Sequence, residues 1–184
     1  GGVGLQYMPA GVVERLSKDP DVAATFPMLI HPVKSPEDAL GMTLIKGIDR
    51  GWRASLDLTM AEGTWFEEAP EGLRGEGVVR GFEAAELQQR RAGDPYLLYN
   101  AKTQTFEETR VRGILTRTGT QVDGTVLWPI ARVQRAYDLP GKLTGVGVRI
   151  RHDVPGALER IRDTYNLEPA LQVVSLARVE ATLR

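Results

Sequence analysis

Glycine and proline punctuate this chain so densely that long uninterrupted elements are closed to it. There are 20 glycines and 11 prolines among 184 residues, about one residue in six against an ordinary share near 12%. The expected architecture is therefore one of short helices and strands joined by many turns. Hydrophobic residues at 42% and charged residues at 26% still suffice for a soluble globular core. A chain of this length hides roughly 70% of its unfolded surface. No apolar run approaches the length of about 18 residues needed to span a bilayer, and Gly1-Gly2-Val3-Gly4 has neither a charged nor an apolar leader region.

The same composition deletes whole classes of chemistry. With no cysteine there is no disulfide, thiolate nucleophile, Cys-ligated zinc or iron–sulfur cluster. The two histidines, His31 and His152, cannot build a multi-histidine metal site, so no metal and no cofactor is expected. A net charge of −1 argues against nucleic-acid binding, which rests on basic side chains facing phosphates. Charge is uneven, however: residues 1–109 are net −6 and residues 110–184 net +5, a pattern compatible with two parts facing different partners.

Periodicity and breakers place the elements. Pro9–Lys18 reads as a helix with Val12, Val13 and Leu16 on one face, stopped by Asp19-Pro20. Val22–Val33 reads as an extended run that Pro27 and Pro32 make an edge strand or a bent one. Met42–Asp49 is a strand, and Gly77–Gly81 a short strand entering a helix over Phe82–Arg91. Tyr96–Tyr99 and Phe106–Thr116 read as paired strands. Thr125–Trp128 is a strand followed by a helix from Pro129 to Tyr137, and Leu143–Ile150 a further strand. Asp153 caps a helix carrying Leu158, Ile161 and Tyr165. Leu171–Leu176 is a last strand, and Ala177–Arg184 turns helical. Glu14-Arg15-Leu16 and Glu159-Arg160-Ile161 each lie on a helix that precedes a strand. These two helix–strand units flank a strand-rich middle, about 37–125. The pattern predicts an α+β fold: a split βαβ-like lobe with helices on one face of an antiparallel sheet, and an inserted β-rich lobe.

Catalytic motifs are missing. Gly75-Glu-Gly77-Val-Val-Arg-Gly81 has G-x-G-x-x-x-G spacing, not that of a dinucleotide loop, and there is no P-loop, G-x-S-x-G or H-E-x-x-H. Glu62, Glu67, Glu68 and Glu71 could imitate a hydrolase's carboxylate pair, but a general acid needs an apolar pocket and these surround a Pro/Gly loop expected to be wet. His31, between Ile30 and Pro32, reads as a strand-end histidine satisfied by backbone. The most distinctive stretch is Thr118-Gly-Thr-Gln-Val-Asp-Gly124. It suits a tight turn, with Gly119 and Gly124 available for positive φ, or a partner-facing loop using Thr118, Thr120, Gln121 and Asp123.

The order of landmarks resembles one family. These are the first helix and Val22–Leu29; Ile45-Lys-Gly-Ile-Asp49; Ala61-Glu-Gly-Thr-Trp-Phe66; Val78-Val-Arg-Gly81; Gly93-Asp94; Thr109-Arg-Val-Arg-Gly-Ile-Leu115; the 118–124 loop; Trp128-Pro-Ile130; Pro140-Gly-Lys-Leu-Thr144; and Leu171-Gln-Val-Val-Ser175. The set is similar to the extracytoplasmic domain of MacB/FtsX-type ABC transporter permeases, inserted between two transmembrane helices. The resemblance implies a Porter-like lobe from 1–36 plus 126–184 and a Sabre-like lobe from 37–125. It implies a non-catalytic domain on the periplasmic face of the inner membrane, with both ends of the chain close together. It implies as partners a cytoplasmic ABC ATPase subunit, a second permease subunit, and an extracytoplasmic protein, lipid or lipoprotein cargo. The competing expectation is a stand-alone ligand- or lipid-binding module, which a deep apolar pocket would favour.

Overall fold

The computed structural model describes residues 7–8, 11–34, 42–66, 77–100, 103–151, 155–165 and 173–175. The expected helical end at Ala177–Arg184, the Asp153 cap, the positions of the two chain ends and the acids Glu67, Glu68 and Glu71 lie outside these residues. In chain order the elements are α1 (Val12–Ser17), β1 (Val22–Lys34), β2 (Met42–Ile48), α2 (Arg50–Leu56), β3 (Met60–Gly63), β4 (Val78–Arg80), α3 (Phe82–Leu87) and β5 (Pro95–Asn100). They continue with β6 (Thr105–Leu115), β7 (Val126–Pro129), α4 (Ile130–Ala136), β8 (Gly145–Ile150), α5 (Ala157–Tyr165) and β9 (Val173–Ser175). The helices are short, as the glycine and proline density requires. None among the described residues is long and apolar enough to cross a membrane.

The fold is α+β, built on a sheet whose strands run β3-β6-β4-β7-β2-β1-β8-β9, with β5 pairing β6 beside this path. The sheet is mixed, not antiparallel as the sequence suggested: β2–β7, β4–β6 and β8–β9 are parallel pairs. Each of these pairs joins strands distant in sequence, which local periodicity cannot register.

β1 also corrects an expectation, because it is no edge strand but lies between β2 and β8. Its two partners are offset. β8 pairs with Val22–Met28 and β2 with Met28–Lys34, so they overlap only at Met28. Pro27 sits opposite Val146 and Pro32 opposite Leu44. Each proline thus falls where the strand is paired on one side only, and its missing N–H interrupts no second ladder.

Alternation along β1 and its neighbours separates two faces. On one face Leu29, Val33, Ile45, Val126 and Val133 share a buried cluster, with α4 above it. Gly47 is needed there: a Cβ would lie 3.1 Å from the Ile130 Cα. Beyond it, Val146 and Val148 of β8 pack with Val12 and Leu16 of α1 and Ile161 and Tyr165 of α5. On the opposite face Phe26, Ile48, Trp52, Leu127 and Leu115 form another cluster. α2, which no sequence signal marked, packs there: a Cβ on its Gly51 would meet the Phe26 ring at 2.9 Å. The helices are therefore not confined to one face.

A polar latch ties the turn after α1 to α5. Arg160 reaches both Asp19 and Asp21 at 2.7 Å, and the Tyr165 hydroxyl donates to the other oxygen of Asp19 at 3.1 Å. Asp19 is buried. The Arg160 guanidinium holds its carboxyl below the usual 3.8, against the opposing effect of burial and with help from the Asp21 N–H and Tyr165. A depressed carboxylate pKa contributes stability above the unfolded value and loses it as pH falls through the folded one. Asp19→Asn should therefore lower the urea midpoint near neutral pH, and by less at acid pH, where protonation of the folded carboxyl removes its contribution. An equal deficit at both pH values would show that the carboxylate's charge is not what latches the helices.

Candidate functional site

The loop singled out in the sequence folds around its own aspartate. Asp123 is 1% exposed. One carboxylate oxygen accepts from the Thr118 N–H and hydroxyl, both at 2.8 Å, and the other from the Gly119 N–H at 2.9 Å. Burial alone would raise its pKa, but these donors and the nearby Arg117 outweigh it and hold the carboxylate below 3.8. The expectation that Asp123 faces a partner is thus corrected. It is the anchor on which residues 118–124 are wound, because a carboxylate can satisfy several backbone N–H groups that a tight turn leaves without partners.

The two threonines are spent as well. A carboxylate only accepts, so the Thr118 hydroxyl must donate to Asp123, and in the 2.7 Å contact between the Thr118 and Thr120 hydroxyls it is Thr120 that donates. The Thr120 oxygen meanwhile accepts from the Val122 N–H. Of the four residues expected to face a partner, Gln121 alone is exposed. Gly119 adopts the expected positive φ, 73°. Gly124 does not, since the short 3-10 turn at Gln121–Gly124 closes without it.

This loop forms one wall of an open groove of about 710 Å³. The floor is the sheet face bearing Met28 and Ile30 of β1, Leu44 and Lys46 of β2, and Gly145 and Gly147 of β8. The register explains the depression. Phe26 and Met28 pair across the ladder with Gly147 and Gly145, so on β8 this face carries no side chain at two successive positions. α2 and the turn after it supply the opposite wall through Trp52, Leu56 and Leu58. Leu44, 50% exposed, leaves a large apolar side chain open to solvent at the rim.

One charged side chain enters this apolar surface. The Lys46 ammonium lies 4.3 Å from the centre of the Trp52 ring, and burial lowers its pKa to about 8. No carboxylate among the described residues pairs with it. Trp52 is fixed in turn, its indole N–H donating to the Met28 sulfur at 3.2 Å. Thr144 closes part of the groove edge along β1: Ile30 N–H donates to the Thr144 hydroxyl at 2.8 Å, and Thr144 N–H to the Met28 carbonyl at 2.9 Å.

Sequence reasoning saw one wall of this site and missed the rest. Leu44 and Lys46 read as alternate residues of an ordinary strand. Only pairing with β1 and β8 places them beside Met28, Ile30 and two glycines. The other residues considered are occupied elsewhere. His31 lies within β1, not at its end, with its ring 4.4 Å from that of Tyr137, and burial lowers its pKa. Glu62 pairs with Arg91 at 2.8 Å. Among the described residues no three acidic or histidine side chains converge on a possible metal position.

Comparison with known proteins returns no matching family model and no matching curated protein. Solved structures do match. Over 89% of this chain and 87% of the other, the fold superposes on the extracellular domain of the noncanonic ABC-type transporter YknZ from Gram-positive bacteria, with TM-score 0.57 and 12% identity. Over 100% of this chain and 88% of the other, it superposes on the periplasmic region of MacB from Actinobacillus actinomycetemcomitans, with TM-score 0.59 and 14% identity. The chain has the fold of these extracytoplasmic transporter domains. The resemblance read from its ordered landmarks is met at that level.

Proposed function

We propose that this chain is the non-catalytic extracytoplasmic domain of an ABC transporter permease, outside the inner membrane, coupling ATP-driven motion of membrane helices to work on a cargo. The observation that carries this reading is the fold match along nearly the whole length of the chain and of its counterparts. ATP hydrolysis then belongs to a separate cytoplasmic ATPase subunit, in keeping with a sequence that has no P-loop. A second permease subunit completes the transporter, and a lipoprotein, lipid or protein is the cargo. Within the domain we assign 1–36 plus 126–184 to a Porter-like lobe and 37–125 to a Sabre-like one. Motion between them would be absorbed near Leu115–Thr125. From the 118–124 loop we assign partner contact to Gln121, its exposed side chain.

A second reading, a stand-alone extracytoplasmic module for a ligand or lipid, is favoured by the groove. The full-length gene product separates the two. A transporter subunit carries an apolar helix of about 20 residues on each side of this segment and copurifies with a nucleotide-hydrolysing subunit. A full-length protein lacking both would end the transporter reading.

A further inference from the structure

We propose that the groove between α2 and the 118–124 loop binds an amphiphile with a hydrocarbon chain and an anionic head, the head seated at Lys46. The inference stands on the groove itself and not on the transporter reading, so either can fail without the other.

Three observations identify the ligand. The first is size and surface: about 710 Å³ lies within the range of roughly 300–1,000 Å³ usual for small-molecule sites. Its floor and one wall are Met28, Ile30, Leu44, Trp52, Leu56 and Leu58.

The second is that the groove offers almost no hydrogen bonds along its length. On the β1 edge facing it, Thr144 already takes the Ile30 N–H and the Met28 carbonyl. The Thr118 and Thr120 hydroxyls are consumed by Asp123, Val122 and each other. A peptide laid here as an added strand would find only scattered partners, such as the Gln121 amide, in place of the continuous row its backbone needs, and unpaired backbone groups are costly when buried. A hydrocarbon chain asks for none.

The third is charge. Lys46 is a largely buried cation whose only described partner is the face of Trp52. An ammonium drawn out of water without a counter-ion is unfavourable, and an anion beside it restores what burial removed. A cationic head is repelled at this position, and a neutral head gains less because it brings no counter-charge.

The test is calorimetric titration of the purified chain with dodecanoate, dodecanol and dodecyltrimethylammonium, each below its critical micelle concentration. Dodecanoate should bind most tightly and the ammonium amphiphile least. Lys46→Met keeps the length and apolar character of the side chain. It should weaken dodecanoate about tenfold or more, as expected for a contact to a charged group, and leave dodecanol within about twofold. Gly145→Leu fills the floor; Gly145 has no positive φ, and a Cβ there meets only the Met28 methyl, at 3.5 Å. It should abolish binding of all the amphiphiles, with a circular-dichroism melt confirming that both variants fold. Equal binding of the cationic and anionic amphiphiles, no response to Lys46→Met, or no binding at all would overturn the assignment. So would a concentration-dependent dimer in sedimentation that Gly145→Leu abolishes, because the groove would then belong to a second copy of the chain.

Discussion

Asp123→Ala should destabilise the domain by about 3 kcal/mol, since it leaves the Thr118 and Gly119 N–H groups and the Thr118 hydroxyl without their acceptor in a closed turn. For a chain of this size that corresponds to a fall in Tm on the order of 5–10 °C. Asp123→Asn keeps one acceptor oxygen and should lose roughly half as much. The loop is also a wall of the groove, so the alanine variant should in addition show faster amide exchange at Thr118–Val122. Thermal melts of the three proteins decide the matter. An alanine variant melting within a degree or so of the parent would mean that water replaces the carboxylate without cost, and that Asp123 does not anchor the turn.

Gly81→Ala should be at least as damaging, from a different cause. Gly81 leads into α3 with φ −64° and ψ 158°, a conformation open to any residue, so backbone strain is not the issue. Its N–H donates to the Thr125 carbonyl at 2.9 Å. A Cβ at this position would be driven into the carbonyls of Val122 and Asp123. These are backbone atoms, with no rotamer by which to retreat, so the 118–124 loop must leave its seat or β4 must shift. Overpacking of this kind costs about 3 kcal/mol, and more where backbone must move. Gly124→Ala is the control from the same loop, because nothing lies within 4 Å of its Cβ position and its φ is ordinary. It should change stability by less than about 0.5 kcal/mol. If the two alanine variants melt together, the close approach of Gly81 to the loop is not a feature of the folded protein.

These two positions mark how far the sequence could be read. The 118–124 turn was legible because its chemistry is local: Thr, Gly and Asp within a few residues satisfy one another's backbone, and Gly119 takes the positive φ expected of it. Its direction was not legible. Whether Asp123 points to solvent or inward depends on Val122 packing into the cluster of Trp52 and Leu127. Gly81 looked like a helix entry, and its role as the seat of a distant loop leaves no trace in the residues around it.

The sequence by itself determined the α+β class, the short elements and most of their limits, because side-chain period, turn residues and proline stops act within a few residues of one another. It determined too that cysteine and multi-histidine chemistry is closed to this chain. Only the tertiary structure decided the parallel pairings, the interior place of β1, the position of α2 on the second face and the groove itself. These arise where Ile30 meets Lys46, Met28 meets Gly145 and Phe26 meets Gly147. The last two of these contacts join strands separated in the chain by whole elements. The free energy that selects them is buried area summed over the assembled sheet, and no local window of sequence contains that sum.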